Sequence, residues 1–255
     1  MHKLNCNKKF YSKYNYPDIK ELRSKHIHLI KKILSYANLS VNSLKNKDVL
    51  DAGCGTGDKA IFFSLKGANV TGIDFALGQL LKAKEKANKQ NTKVKLVKTD
   101  ILNPYLDKLG KFDYIFCLGV LHHTQDPKKG FNNLCKLLKK DGIIVIALYH
   151  RYSRIRYRII RRLIRIFVSK DPEKIMQFLF SKNIFANLIN KGSKETIYDR
   201  YAVPHESYHT LKEIKKWFNN NGIVEIKHSK NVNGFEPLKI FEKKTLFFVS
   251  GVKHK

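Results

Sequence analysis

Asp51-Ala52-Gly53-Cys54-Gly55-Thr56-Gly57 stands between a short apolar run, Asp48-Val49-Leu50, and a run with helical apolar spacing from Lys59 to Leu65. Three glycines at alternate positions let the backbone turn sharply and come close to a ligand, because no side chain stands in the way. A buried strand that feeds such a turn and then a helix opens a parallel α/β sheet, with a ligand crevice at its carboxyl edge.

Apolar, strand-like segments recur downstream and end in acidic residues. Ala68 to Ile73 leads into Asp74, about twenty positions beyond the turn, where a carboxylate accepts hydrogen bonds from ribose hydroxyls. Val94 to Thr99 ends in Asp100, and Phe112 to Cys117 runs into Leu118-Gly119-Val120-Leu121-His122-His123-Thr124. Ligands of open parallel sheets bind at the carboxyl ends of the strands, so acidic residues repeated there favour a site. The Gly-x-Gly-x-Gly spacing differs from the Gly-x-Gly-x-x-Gly of dinucleotide sites, and no hydride-transfer acid and base set follows it. An oxidoreductase is disfavoured.

On these residues the chain resembles the class I S-adenosylmethionine-dependent methyltransferases, especially the group that includes the ubiquinone and menaquinone biosynthesis methyltransferases. The resemblance rests on the turn at 51–57, Gly72-Ile73-Asp74, Thr99-Asp100, the stretch FDYIFCLGVLHHTQDP at 112–127 and LCKLLKKDGIIVIALY at 134–149. The last is read as a helix, a glycine turn and a fifth strand. Residues 45–150 are covered well and the two ends poorly. The resemblance implies a Rossmann-like α/β fold, a seven-stranded and mostly parallel sheet with the last strand antiparallel, and S-adenosyl-L-methionine as cofactor. Residue by residue, it implies that Asp51, Gly53, Gly55 and Gly57 line the methionine part of the cofactor and that Asp74 holds the ribose hydroxyls. Phe75 would pack on the adenine, Asp100 would accept from its amino group, Ile101 would cover the ring, and Leu118 with Gly119 would border the sulfonium.

A chain of 255 residues with 43% apolar content fits one α/β unit with a modest elaboration. Cys6, Cys54, Cys117 and Cys135 are scattered without metal-ligand spacing, so they read as reduced thiols and no metal is expected. The start, MHKLNCNKKFYSKY, lacks the apolar core of a signal peptide, and no stretch is long and apolar enough to span a bilayer. The expected location is the cytoplasm.

The formal charge of +29 brings nucleic acid and anionic membrane surfaces into view as partners. Lysines are spread through every segment and say little. Arginines are not: of nine, seven lie between positions 151 and 165. At about 100° per residue, Arg154, Arg158, Arg161, Arg162 and Arg165 share one helix face, and Ile155, Ile159, Ile160, Leu163, Ile164, Ile166 and Phe167 share the other. In one reading the apolar face packs on the protein and the basic face is solvated. In the other, the helix at 154–167 lies peripherally on an anionic membrane, with arginines among the headgroups. RNA contact is less favoured, because aromatics beyond Tyr152 and Tyr157 do not interleave the arginines.

This helix begins an insertion after the fifth strand, at the same edge as the crevice. The expected division is an N-terminal helical segment (1–46, with a helix over Asp18–Leu39 after Phe10, Tyr11, Tyr14 and Tyr16), a cofactor-binding core (47–150), a helical lid (151–206) and the last part of the core (207–255). Asp171-Pro172 opens a second lid helix, and the pattern returns with a helix near Leu211 to Asn221 and strands at Ile223–Lys227 and Thr245–Ser250. Lids exclude water and select substrates. The polar-dense stretch Tyr198 to Thr210 therefore supplies Tyr201, Glu206 and His209 as expected acceptor contacts. The structural alternative pairs Asp199 and Glu206 with arginines and gives His209 to the cap of a helix that starts at Ser207 or Thr210, with Glu213 as capping partner.

The cofactor carries an activated methyl group, so the protein must position an acceptor and, for a weakly acidic hydroxyl, provide a base. His205, His123 and Tyr149 are the catalytic candidates, with His122-His123 also readable as a turn element. The expected activity is methyl transfer to a small or lipid-like acceptor, with O- or carboxyl-methylation favoured. Two alternatives stay open. An RNA methyltransferase lacks support because Leu118-Gly119-Val120-Leu121 stands where an acidic, proline and aromatic tetrapeptide is usual. The other is a noncatalytic cofactor-binding or membrane-associated accessory protein.

Overall fold

A computed structural model describes residues 24–152, 155–181, 197–229 and 246–254. The N-terminal aromatics, Cys6, Arg154 and Thr245 lie outside the described residues. In chain order the main elements are α1 (Ser24–Tyr36), β1 (Asp48–Ala52), α2 (Asp58–Leu65), β2 (Asn69–Asp74), α3 (Leu77–Lys89), β3 (Val94–Lys98), β4 (Phe112–Leu118), α4 (Pro127–Lys136) and β5 (Leu138–Tyr149). Then come α5 (Ile155–Phe167), α6 (Pro172–Leu179), a π-helical turn (Tyr198–Ala202), α7 (Leu211–Asn219), β6 (Ile223–His228) and β7 (Leu246–Lys253).

The strands form one sheet in the order β3-β2-β1-β4-β5-β7-β6. β7 runs antiparallel to both neighbours and the other pairings are parallel, as expected for this fold. Both faces are covered, which is why Val49, Leu50, Ile115, Phe116 and Cys117 are all fully buried despite lying consecutively on their strands. On one face Phe131 and Leu134 of α4 and Ile214, Trp217 and Phe218 of α7 pack into a cluster with Leu50 and Ile115. On the other, Ile30, Ile33 and Leu34 of α1 join Phe62 and Phe63 of α2 over Val49 and Phe116.

Helix starts follow local chemistry. Asp126 accepts from Lys129 N at 2.9 Å with Pro127 at the first position of α4, and Asp171 accepts from Glu173 N at 2.7 Å ahead of α6. Thr210, not Ser207, caps α7 and accepts from Glu213 N at 3.2 Å. One expectation changes at β5. The strand is continuous through Asp141-Gly142, with a register shift against β4 and Asp141 at φ 58°, so a bulge replaces the glycine turn.

The insertion builds a third apolar cluster of its own from Ile164, Ile175, Met176, Leu179, Tyr198 and Tyr201. It also divides both expected faces of α5: Ile160 and Ile164 pack on the cluster while Arg158 and Arg162 are exposed. Arg161 is buried and Arg165 half-buried, whereas Ile159, Leu163, Ile166 and Phe167 are 56%, 42%, 63% and 80% exposed. Arg161 forms an ion pair with Glu206 and donates to the Val203 carbonyl, while Arg165 donates to Val203 O at 2.9 Å and Pro204 O at 3.3 Å. These carbonyls follow the π-helical turn, where backbone oxygens lack helical partners and attract cations. Satisfying them draws Arg161 and Arg165 inward beside Ile160 and Ile164, which pack in the cluster, and leaves Ile159, Leu163, Ile166 and Phe167 facing outward with Arg158 and Arg162.

Candidate active site

At the carboxyl edge of the sheet the glycine turn and the β4 exit face open space. Gly55 (φ 54°) and Gly119 (φ 78°) have no atom within 4 Å of where a Cβ would stand, although both sit in the left-handed region. Gly53 differs: a Cβ there would strike Val120 at 2.3 Å, so this glycine brings the two loops together. Gly57 caps α2 in a left-handed conformation.

Asp51 lies under this opening, fully buried, and neither carboxylate oxygen has a hydrogen-bond partner. Lys59 Nζ is 3.7 Å from its Oδ1. Burial holds the Asp51 pKa above the usual carboxylate range, against the pull of Lys59. A buried carboxylate with unspent acceptors next to an open cradle fits the ammonium end of S-adenosylmethionine.

Asp74 is held by the same loop. Its Oδ2 accepts from Gly55 N and its Oδ1 from Ala76 N, each at 2.9 Å. Burial raises its pKa while these amides oppose the shift. A carboxylate oxygen accepts more than one hydrogen bond, so Asp74 retains capacity for ribose hydroxyls. Phe75 is half-buried beside it. Asp100 Oδ1 accepts from Leu102 N at 2.9 Å and so caps its own turn. Ile101 is turned into the core, close to Gly130 of α4, and Leu118 joins the apolar cluster around Phe116. Asp51, Gly53, Gly55, Gly57 and Asp74 are thus brought together, whereas Ile101 and Leu118 contribute mainly as packing.

A second polar group lies where the lid meets the ends of β4 and β5. Gly119 N donates to Ala147 O at 3.1 Å, which places Tyr149 beside the β4 exit. The Tyr149 hydroxyl donates to Asp199 Oδ2 at 2.6 Å, and its ring lies 3.7 Å from that of His122. His123 Nε2 is 3.1 Å from Asp199 Oδ1, and its Nδ1 is 3.4 Å from the His205 carbonyl. Both ring nitrogens of His123 therefore face oxygen atoms. His205 is half-buried and reaches His123 through its backbone.

Asp199, which the structural alternative pairs with arginines, joins Tyr149 and His123. Glu206 follows the expectation, paired with Arg161 and accepting from the Tyr208 hydroxyl. The three expected acceptor contacts are spent inside the protein. Tyr201 is buried in the lid cluster with a T-shaped contact to Tyr157, and Glu206 neutralises Arg161. His209 meets Ser207 Oγ at 2.8 Å and Glu213 Oε1 at 3.0 Å, edge-on to Trp217. These contacts tie residues 197–209 to α5 and α7. A wide groove of about 860 Å³ lies at the opposite, amino-terminal edge of the sheet, near Asn69, Lys84 and Lys111, away from this chemistry.

A family model described as a methyltransferase domain matches residues 43–237. The ubiquinone biosynthesis O-methyltransferase of Glaesserella parasuis is 35% identical over 135 residues, 51% of this chain and 57% of that protein. The chain spans about half the length of the curated relatives it matches. Among solved structures, magnesium protoporphyrin IX methyltransferase from Synechocystis PCC 6803 with bound SAH aligns over 99% of this chain and 94% of its own, with a TM-score of 0.59 at 16% identity. PKMT2 from Rickettsia typhi gives 0.60 at 18% identity, over 93% of this chain and 53% of its own. At such identities the structural likeness shows the fold alone. Together with the glycine turn, Asp51 and Asp74, the match over most of its length shows that the chain belongs to the methyltransferase-domain family, the class I S-adenosylmethionine-dependent methyltransferases.

Proposed function

We propose that this protein transfers the methyl group of S-adenosylmethionine to a hydroxyl oxygen of a small or lipid-like acceptor. The observation that carries the reading is the Tyr149 hydroxyl, which sits at the β5 exit beside Gly119 and commits its proton to Asp199. A phenol oxygen whose proton is given away meets a ligand as an acceptor, so its complement is a hydroxyl rather than a carboxylate. When bound, the cofactor supplies an electrophilic methyl group on sulfonium. Asp51 would hold its ammonium group and Asp74 its ribose, while the lid excludes water from the acceptor. The test is calorimetric binding of S-adenosylmethionine, followed by incubation of the full chain, the methyl-labelled cofactor and a bacterial small-molecule and lipid extract. Label in an extractable product supports the reading. Binding without any transferred label supports the noncatalytic alternative.

The exposed stripe on α5 supports a second, compatible reading: docking on an anionic membrane surface, from which a lipid-like acceptor would enter. Ile159, Leu163, Ile166 and Phe167 are exposed with Arg158 and Arg162 alongside, which pairs apolar insertion with attraction to headgroups. Among the described residues no helix is long and apolar enough to cross a membrane. Contact would therefore be made along the interface.

A further inference from the structure

We propose that Asp199, carried by the lid, is the proton acceptor that drives the reaction through Tyr149, so that turnover requires the lid to be closed on the core. The inference rests on the hydroxyl-acceptor reading above. Three observations support it. Asp199 sits on a π-helical turn, a rare geometry that is frequent at functional sites and here aims a lid carboxylate at the sheet edge. Its Oδ2 accepts the Tyr149 hydroxyl at 2.6 Å, the length typical of O–H donation to a carboxylate anion. Its Oδ1 lies 3.1 Å from His123 Nε2, with side chains 18% and 8% exposed, so the carboxylate is held from both sides in a largely dry setting.

The proton path is then defined. The acceptor O–H proton passes to the Tyr149 oxygen as the Tyr149 proton passes to Asp199 Oδ2. The electron pair released on the acceptor oxygen forms the new O–CH₃ bond, and the pair of the broken S–CH₃ bond stays on sulfur. Asp199 later releases its proton to water. Tyr149 is the catalytic residue in this scheme, and Asp199 acts through it as a positioning residue and proton sink. The pair is split between core and lid, fifty residues apart in sequence.

The discriminating variant is Asp199→Asn. An amide oxygen still accepts the Tyr149 hydrogen bond but takes no proton, so a role confined to latching the lid would survive it. We expect turnover of the labelled cofactor with the bacterial extract to fall at least about tenfold, in line with loss of general-base assistance. Cofactor affinity and Tm should stay unchanged. Asp199→Glu, which keeps a carboxylate, should recover part of the rate, and this arm stands if the asparagine variant folds poorly. The label should resist mild alkali, as a methyl ether does. Wild-type turnover in Asp199→Asn, or no recovery in a folded Asp199→Glu, overturns the relay. Label released by alkali as methanol marks a methyl ester and overturns the hydroxyl specificity. A wild-type protein that binds the cofactor and transfers nothing overturns the methyl-transfer reading itself.

Discussion

Lys59 Nζ stands 3.7 Å from Asp51 Oδ1, a cation near enough to moderate the buried carboxylate and too far to satisfy it. Burial raises the Asp51 pKa, so its neutral form appears at higher pH than for an ordinary aspartate. Two opposite consequences follow. The folded state takes up this proton more readily than the unfolded chain, so the group's contribution to apo stability grows as pH falls through the folded pKa and is lost as pH rises through it. Cofactor binding needs the ionised form and weakens over the same fall. Titration calorimetry run from neutral pH toward acid should show S-adenosylmethionine affinity declining at higher pH than for an ordinary aspartate, and Asp51→Asn should bind at least about tenfold more weakly at pH 7. Flat affinity in both experiments would remove Asp51 from the site.

Gly55→Ala separates backbone strain from ligand contact. At φ 54° with nothing within 4 Å, an added Cβ costs about 1 kcal/mol in backbone energy and projects into the cradle. Gly222, at φ 67° with equally open surroundings but at the turn before β6, is the matched control. Both alanine variants should lose similar stability in urea melts. Only Gly55→Ala should also lose cofactor binding, and equal binding by the two would show that the cradle lies elsewhere.

Arg161→Met tests whether the inward arginine holds the lid. It removes the Arg161 cation from Glu206, whose side chain is 2% exposed, a loss of about 3 kcal/mol for a buried pair broken on one side. The damage should be concentrated in the lid, seen as faster hydrogen exchange over residues 197–209 with β1 and β4 protected as before. Arg161→Met combined with Glu206→Leu should recover much of the loss, because a buried pair replaced by apolar groups of similar size is often neutral. Equal exchange throughout the chain would mean that the pair does not anchor the lid.

The core was legible in the sequence because its signals are local. A glycine turn, a capping aspartate before a proline and an apolar run of five residues each specify their own geometry. The lid was legible only in outline. The orientation of α5 depends on carbonyls at Val203 and Pro204 and on Glu206, roughly forty residues away, and helical periodicity alone does not reveal that arginines will be drawn inward. The sequence leaves the role of Asp199 open between site and structure for the same reason. Its contacts with Tyr149 and His123 come from the ends of two strands, brought to one edge only by the sheet order.

The outward stripe of α5 makes the clearest separable prediction. Ile159, Leu163, Ile166 and Phe167 already face water, so replacing all four with serine removes little buried contact, and Tm should move by no more than about 2 °C. The wild-type protein should be retained on phosphatidylglycerol vesicles, and the same variant should lose that retention. Neutralising Arg158 and Arg162 as glutamine should weaken retention by about 1 kcal/mol per charge and reduce its salt dependence. Vesicles of phosphatidylcholine alone should hold the wild type poorly, since apolar insertion then acts without electrostatic attraction. A large fall in Tm for the four-serine variant would mean that another part of the chain covers the stripe. Unchanged vesicle retention would place the membrane contact on a different surface, and either result would remove α5 as the docking element.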